Sequence, residues 1–486
     1  LAARETTADG RGIERPPLIS REVSPELYRV EEPRLSEADR RLAEALRSAV
    51  LEALASPAAG EVGPEALEAA FDPLWKARSD SRDSERRRRI LDHLNRELLG
   101  YGPIDDPLRD PEVEDVTLDG VDAPVYVVHR RWGSIPTNIR FVSEAELDRF
   151  VVRLAERAGA HLSRFEPFAD GRLPNGARLA ATLGREISAR GSSFAIRRFQ
   201  ERPWNLVDLL GSHTLSPEMA AYLWMAVLEG ASTLIIGETG SGKTTTLNAL
   251  LALAAPSSRV VTIEDTRELQ FPHDHWVALA ARSSLGPKDS SGRRSGEIDL
   301  YDLVRSALRQ RPQILVVGEV RGRETFTLFQ AMATGQPCHS TFHAESVASL
   351  VRRLESPPIQ LPRGLLSALS IVVLQRSETI AGRRGRRIVG VTEIQGVDPV
   401  TREILATPIF SWSREDDRWS YRGRSTLLES WARSQGRPID SLQGELARRA
   451  RFLEALGAGG PLPNEEFIAR IRRYGDAWPG AGQNTS

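Results

Sequence analysis

The chain is poor in lysine and almost without cysteine, and both shortages are informative. Lys76, Lys243 and Lys288 are the only lysines among 65 basic residues, so arginine carries nearly all the positive charge. Lys243 falls inside a glycine-rich loop, which suggests a place where a compact ammonium fits and a planar guanidinium does not. Cys338 stands alone, which excludes an intramolecular disulfide and any multi-cysteine zinc site. No apolar run approaches the roughly 18–20 residues of a membrane span, and no signal-peptide pattern opens the chain, so a cytoplasmic protein is expected. An excess of charge of one sign is missing too. The 65 basic and 66 acidic residues leave a formal net charge of -1, which gives no global pull towards nucleic acid and speaks against a high-salt cytoplasm. What remains is an ordinary globular composition, 40% hydrophobic over 486 residues, long enough for two or three domains.

What is present is a phosphate loop. Leu234–Ile236 is apolar and reads as a buried strand; a helix-forming segment without glycine or proline runs on to Leu253. Between them stands Gly237-Glu238-Thr239-Gly240-Ser241-Gly242-Lys243-Thr244, with Thr245 following. This is the G-x-x-x-x-G-K-[ST] pattern in its required strand–loop–helix setting. Glycines let the backbone curl so that its N–H groups surround phosphates, and the helix adds the positive end of its dipole. Lys243 can reach the β- and γ-phosphates, and the Thr244 hydroxyl can ligate Mg²⁺.

Residues 1 to about 30 are polar, carry scattered prolines and are expected to form a mobile arm. Helices are expected after Ser36, around 64–77 and over Ser84–Leu99. The last contains the run Arg86-Arg87-Arg88-Arg89, either a solvated helix face or a contact for anionic lipid or a partner. From Gly100 the texture becomes α+β. Short strands are expected at Val113–Leu118, Val125–His129, Ile139–Phe141, Ala177–Leu183, Glu186–Arg190 and Ser193–Arg198, with a helix opened by Ser143 and Glu146. After a linker at Gln200–Asn205, strands and helices alternate, as in a parallel sheet with crossover helices. Further buried strands are expected at Val260–Glu264, Ile314–Val317 and Cys338–Phe342. A flexible insert is expected at Ser283–Gly296, an antiparallel meander over Arg387–Gln395 and Ile404–Trp412, helices from Thr426, and a loose end at Trp478–Ser486.

Three more constellations sit at the ends of expected parallel strands, where ligands bind in such sheets. Glu264-Asp265-Thr266-Arg267-Glu268 offers carboxylates that can hold Mg²⁺-bound water, orient an attacking water, or merely cap the next element. Gly318-Glu319 follows an apolar strand. Glu319 can polarise the water that attacks a γ-phosphate, while Gly318 stands where many motors carry a Mg²⁺-associated aspartate. His343 closes Ser340-Thr341-Phe342-His343 and is either structural or a γ-phosphate sensor.

Together these segments resemble the type II/type IV secretion and pilus-assembly "traffic" ATPases over residues ~95–475. Leu99-Gly100-Tyr101-Gly102-Pro103 and Asp110-Pro111-Glu112-Val113-Glu114-Asp115 are similar to the entry of that superfamily's N-terminal domain. Val261–Thr266 resembles its Asp box, Val317–Gly322 its Walker B segment, and Gly335–Ala344 its His box, although Gln336 stands where the first histidine is usual and His339 lies nearby. Arg309-Gln310-Arg311-Pro312 and Phe329–Gly335 look most like the archaeal branch. The resemblance implies a RecA-like P-loop NTPase domain (201–424) after a small α+β, PAS-like domain (86–200). A mobile arm and helical extension is expected at 1–85 and a C-terminal helical extension at 425–486. The resemblance also implies ATP and Mg²⁺ as ligands, with Glu319 as the catalytic base or Glu268 as the alternative, Lys243 and His343 at the phosphates, and Thr244, Glu264 and Asp265 near the metal. Arg178, Arg190 and Arg197 lie in segments similar to those that close over bound ATP. The implied assembly is a homohexamer on the cytoplasmic face of the membrane. It would act on a polytopic platform protein and, through it, on pilin-like subunits, with no direct nucleic-acid contact expected. A DNA-translocating conjugation motor, an archaellum motor and a non-hydrolysing nucleotide-gated scaffold are the alternatives.

Overall fold

The computed structural model describes residues 20–31, 35–54, 63–77, 83–198, 202–271, 273–282, 286, 294–380 and 383–476. The chain divides into two compact units, 1–200 and 201–486.

In the first unit, β1 (Ser20–Val23) and β2 (Tyr28–Glu31) precede three helices, α1 (Glu37–Leu54), α2 (Pro64–Lys76) and α3 (Ser84–Leu98). The helices share one apolar cluster, in which Leu42, Leu46 and Val50 meet Leu67, Phe71, Trp75, Ile90 and Leu94. This is the stripe that helical spacing predicts. The basic run is partly answered inside the bundle. Arg86 pairs with Asp39 of α1, and Arg87 with Glu68 and Asp72 of α2. The boundary expected at 85/86 therefore falls inside one helix.

The remainder of the unit is α4 (Asp105–Arg109), β3 (Val113–Leu118), β4 (Pro124–His129), β5 (Gly133–Arg140), α5 (Glu144–Arg157), β6 (Phe168–Arg172), β7 (Arg178–Thr182) and β8 (Ser193–Arg197). The eight strands form one sheet in the order β1-β2-β5-β4-β3-β8-β7-β6. α5 buries Leu147, Phe150, Val151 and Leu154 against Val116, Val127, Leu179 and Ile196.

Two expectations fail here. The arm expected over residues 1 to about 30 includes β1 and β2, which join the sheet; residues 1–19 lie outside the described residues. Tyr28 is fully buried and its hydroxyl donates to Asp110 Oδ2 at 2.9 Å. The Asn138 side chain brackets Val30, accepting from its N–H and donating to its C=O, each at 2.8 Å. Glu186–Arg190 is a turn rather than a strand. Gly184 and Gly191 flank it with φ of 81° and 93°, and Ser188 N–H donates back to Gly184 C=O. Conversely β6 was not expected, because Phe-Ala-Asp-Gly-Arg carries strand-averse residues. Gly171 is needed there, since a Cβ would lie 2.6 Å from the Ala158 carbonyl oxygen.

The second unit opens with α6 (Leu206–Gly211) and α7 (Pro217–Leu228), then alternates β9 (Thr233–Ile236), α8 (Lys243–Leu251), β10 (Val260–Glu264), β11 (Trp276–Ala280), α9 (Leu300–Arg309), β12 (Ile314–Val317), α10 (Glu324–Ala333), β13 (Cys338–Phe342), α11 (Val347–Glu355) and α12 (Arg363–Leu366). β14 (Ile371–Ile380), β15 (Arg383–Val397), β16 (Ile404–Ser413) and β17 (Arg418–Tyr421) follow, then α13 (Thr426–Ser434), α14 (Ile439–Ala458) and α15 (Asn464–Asp476). The nine strands run β11-β10-β12-β13-β9-β14-β15-β16-β17. Neighbours are parallel from β11 to β14 and antiparallel from β14 to β17.

β9, β10, β12 and β13 are buried at every residue, as a sheet covered on both faces requires. Alternate side chains feed two cores: Ile235, Val260 and Val316 join α7, α13, α14 and α15, while Leu234, Val261 and Leu315 join α9, α10 and α11. The C-terminal helices are thus part of the main core. Trp224 of α7 packs on Phe452 and Tyr474, and the Arg449 guanidinium lies 4.4 Å from the Trp224 ring centre. α7 escaped sequence reading because Met219–Val227 is buried all round and shows no amphipathic period. The insert expected at Ser283–Gly296 lies largely, and the loose end at Trp478–Ser486 wholly, outside the described residues.

Glu393 of β15 fixes the meander to α13. Its fully buried carboxylate accepts from Tyr222 Oη (2.7 Å), Thr426 N (2.9 Å), Thr426 Oγ1 (2.6 Å), Leu427 N (3.3 Å) and the Ser425 hydroxyl. Replacement by alanine strands several buried donors at once. Glu393→Ala should destabilise the protein by about 3–5 kcal/mol in urea titrations, with Glu393→Gln losing less.

Candidate functional site

The parallel register delivers four loops to one edge of the second unit's sheet. β9 ends in the glycine loop, β10 in Glu264, β12 in Gly318-Glu319 and β13 in His343. The carboxyl edge of such a sheet is where ligands bind.

The glycines of the loop have specific work. A Cβ at Gly237 would lie 2.1 Å from the Gln375 carbonyl oxygen of β14, so only glycine lets β9 and β14 run side by side into the loop. Gly242 caps α8 with φ of 95°, and a Cβ there would meet Gln375 Nε2 and Arg386 Cδ at 3.0 Å. Ser241 Oγ donates to Glu238 C=O at 2.8 Å and Arg386 Nε to Gly240 C=O at 3.1 Å, shaping the turn; Glu238, Thr239 and Gly240 are exposed at its tip. Thr244 and Thr245 are half-buried in the first turn of α8.

Lys243 is 7% exposed, and its ammonium donates to Gly237 C=O (3.1 Å) and Glu238 C=O (2.8 Å). It also faces His343 Nδ1 at 3.4 Å. An ammonium has only donors, so Nδ1 must accept and the His343 proton sits on Nε2. Nε2 lies 3.1 Å from Glu319 Oε1 and donates to it. Lys243, His343 and Glu319 therefore form one hydrogen-bonded line. Burial, then the positive charge of Lys243, lowers the His343 pKa and favours this neutral ring.

Glu264 lies mainly under the loop that follows it. Its Oε1 accepts from Glu268 N (2.8 Å) and Leu269 N (2.9 Å), and burial lifts its pKa to about 6. Asp265 pairs with Arg321 of the loop after β12. Glu268 is exposed. The space beside Gly318 is filled by Glu264, whose Cγ would lie 3.0 Å from a Cβ there. An aspartate at 318 and the glutamate at 264 thus compete for one space. Among the described residues, no group of three or more His, Cys, Asp or Glu side chains gathers as a metal site. The donors that fit Mg²⁺ are oxygen-only and few, the Thr244 hydroxyl above all, as suits an ion that keeps much of its water.

His339 does not belong to the site. It points into the sheet, 2% exposed, and its Nε2 has no hydrogen-bond partner among the described residues. Gln336 precedes β13 at the opposite edge, where its Nε2 donates to Gln313 C=O at 3.1 Å. Neither stands in for a histidine near the phosphate loop. Arg178, Arg190 and Arg197 belong to the other unit. Arg178 pairs there with Asp170 (2.8 Å) and Arg197 with Asp115 (3.1 Å), while the Arg190 C=O accepts from Val121 N–H. Gln375 and Arg386 were missed by sequence reading, since only the pairing of β14 with β9 brings their hairpin to the loop.

A phosphate loop at the carboxyl edge of a parallel sheet, with a glutamate at a neighbouring strand end, defines a P-loop nucleotide-binding protein. Residues 101–407 match the family of type II/IV secretion system proteins, and the chain belongs to that family. An uncharacterized protein of Methanocaldococcus jannaschii is 38% identical over 377 residues, 76% of this chain and 67% of its own, in agreement with the archaeal likeness. The conjugal transfer protein TrbB of Rhizobium radiobacter is 33% identical over 241 residues, 47% of this chain and 68% of its own. The crystal structure of the pilus retraction motor PilT with bound ADP is 19% identical, covering 73% of this chain and 94% of that one with a TM-score of 0.41. Family membership supports ATPase activity in general.

His339 yields a pH prediction. Burial lowers its pKa to about 4 from an ordinary 6.5. Below pH 6.5 the unfolded chain takes up a proton that the folded chain refuses until about pH 4. The stability difference between wild type and His339→Leu should therefore be constant above pH 7. It should shift against wild type by about 3 kcal/mol as pH falls through that window, as read by urea denaturation.

Proposed function

We propose that this chain is the ATP-hydrolysing subunit of a motor that drives assembly of pilus-like filaments or protein secretion through a membrane platform. The observation that carries this reading is the line from Lys243 through His343 to Glu319. It joins a phosphate-binding cation, a neutral histidine and a carboxylate at adjacent strand ends. The backbone N–H groups of Gly240–Thr245 would bind the β- and γ-phosphates, with Lys243 exchanging its carbonyl partners for phosphate oxygens. Bound through Thr244, Mg²⁺ would supply charge neutralisation on the phosphates. Glu319 is the favoured base for the attacking water and Glu268 the alternative. The His343 Nε2–H holds Glu319 in place and could instead donate its hydrogen bond to a γ-phosphate oxygen, the proton staying on the ring.

The proposal reads the second unit as a RecA-like domain and the α+β sheet of the first as PAS-like. It includes a homohexamer at the cytoplasmic side of a membrane, acting on a polytopic protein and through it on pilin-like subunits. Among the described residues no helix is long and apolar enough to cross a membrane. Arg178, Arg190 and Arg197 are proposed as phosphate contacts.

Lys243→Ala should abolish measurable nucleotide binding. Glu319→Gln should bind ATP near normally while turnover falls by about a hundredfold or more. Near-normal phosphate release from either variant would overturn these roles. The likeness to a conjugal transfer protein supports a second reading, a DNA-linked motor. In that case single- or double-stranded DNA would raise turnover, and the stimulation would fall steeply with salt.

A further inference from the structure

Two buried glutamates at this edge do similar work in neighbouring loops. Glu264, 4% exposed, accepts the backbone N–H groups of Glu268 and Leu269 on one oxygen, at 2.8 and 2.9 Å. Glu324, 6% exposed at the first position of α10, accepts those of Arg321 and Gly322 on one oxygen, both at 2.7 Å. The first pair of amides includes Glu268 itself; the second follows Glu319 by two residues.

Each carboxylate lies against a glycine, where an added side chain would crowd it. A Cβ at Gly318 would lie 3.0 Å from Glu264 Cγ, and one at Gly322 would lie 2.8 Å from Glu324 Oε2. The loops are also tied to each other, because Arg321 pairs with Asp265. Val320 N–H donates to Thr341 C=O at 3.1 Å and Thr341 Oγ1 to Gly318 C=O at 2.7 Å, which binds the Glu319 backbone to β13.

Burying a carboxylate is costly unless its acceptors are used. Glu264 Oε2 has no hydrogen-bond partner among the described residues, so half of that carboxylate is buried without return in folding. We propose that Glu264 and Glu324 are positioning residues, which fix the backbone of the loops bearing Glu268 and Glu319, and that Gly318 and Gly322 are the notches that admit them. Gly318 then stands at the end of its strand because Glu264 needs the room.

The proposal rests on the reading of this edge as an ATP-hydrolysing site, and its test separates the two. Amide hydrogen exchange on the nucleotide-free protein needs no turnover. Glu264→Ala should speed exchange at Glu268 and Leu269, and Glu324→Ala at Arg321 and Gly322, each leaving the other pair slow. Unchanged exchange would overturn the proposal even if the protein hydrolyses ATP. In turnover assays, both alanine variants should lose kcat by about tenfold to a hundredfold with KM for ATP held within about threefold, because displacement rather than binding is at fault. A glutamine side chain still presents an acceptor oxygen, so Glu264→Gln and Glu324→Gln should restore most of kcat. If glutamine is as damaging as alanine, the negative charge itself is used and the positioning role is wrong. Should Glu264→Ala fail to fold, Gly318→Ala serves in its place, as Gly322→Ala does for Glu324→Ala with exchange read at Arg321 and at position 322. Gly318→Ala keeps the carboxylate but fills its notch, and should speed exchange at Glu268 and Leu269 and lower kcat in the same way; normal exchange in that variant would also overturn the proposal.

Discussion

Everything at the site depends on β9 being held between two parallel neighbours. β13 pairs with one side of it and β14 with the other, both in parallel, so the glycine loop that leaves β9 emerges between them at the carboxyl edge. At that exit Gly237 passes so close to the Gln375 carbonyl that no side chain is tolerated. The glycine loop is therefore shaped by a strand that lies more than a hundred residues away in sequence, as much as by its own glycines. The same parallel pairing brings β10, β12 and β13 to this edge, because a crossover connection returns each strand in the same direction. One constraint of sheet topology thus assembles the cation, the carboxylates and the histidine.

Within that frame the electrostatics are ordered by a single ammonium. Lys243 is nearly buried, with two loop carbonyls and a histidine nitrogen around it. Burial and then this charge disfavour a positive charge on His343, and the ammonium's donation to Nδ1 leaves the ring proton on Nε2, directed at Glu319. A compact donor with freely rotating protons can satisfy all three partners, which a planar fork cannot. That accounts for a lysine here in a chain that otherwise prefers arginine. Around this centre the arginines act at longer range: Arg386 braces the loop at Gly240, and Arg321 links the loops after β10 and β12.

The site was legible where its chemistry follows a local pattern. The phosphate loop, the acidic ends of β10 and β12 and His343 could each be placed from a short apolar run followed by functional residues. The parts that were not legible depend on distant pairing or lack periodicity. Tyr28 looked like part of a polar arm, because its partners Asp110 and β5 lie about a hundred residues downstream. α7 gave no helical stripe because it is buried on every side. Glu186–Arg190 alternates as a strand would, and only the left-handed glycines beside it turn it away from the sheet. Gln336 illustrates the converse. It stands where the resembling motif has its first histidine, whereas the strand direction puts it at the far edge, next to Gln313.

The glycine at position 318 shows how far a local comparison can mislead. Read along the strand, it is an absence: a carboxylate expected for the metal is not there. In the sheet it is a vacancy filled from the neighbouring strand, because β10 and β12 run in parallel register and Glu264 turns into the space. The carboxylate beside Gly318 comes from the adjacent strand and gives one oxygen to the backbone of the next loop. Its second oxygen is buried without a partner among the described residues. The same economy recurs at Gly322 and Glu324, where a carboxylate again enters beside a glycine and takes two backbone N–H groups. Two such arrangements on adjacent loops, joined by Asp265 and Arg321, tie down the backbone that carries Glu268 and Glu319 at this edge of the sheet.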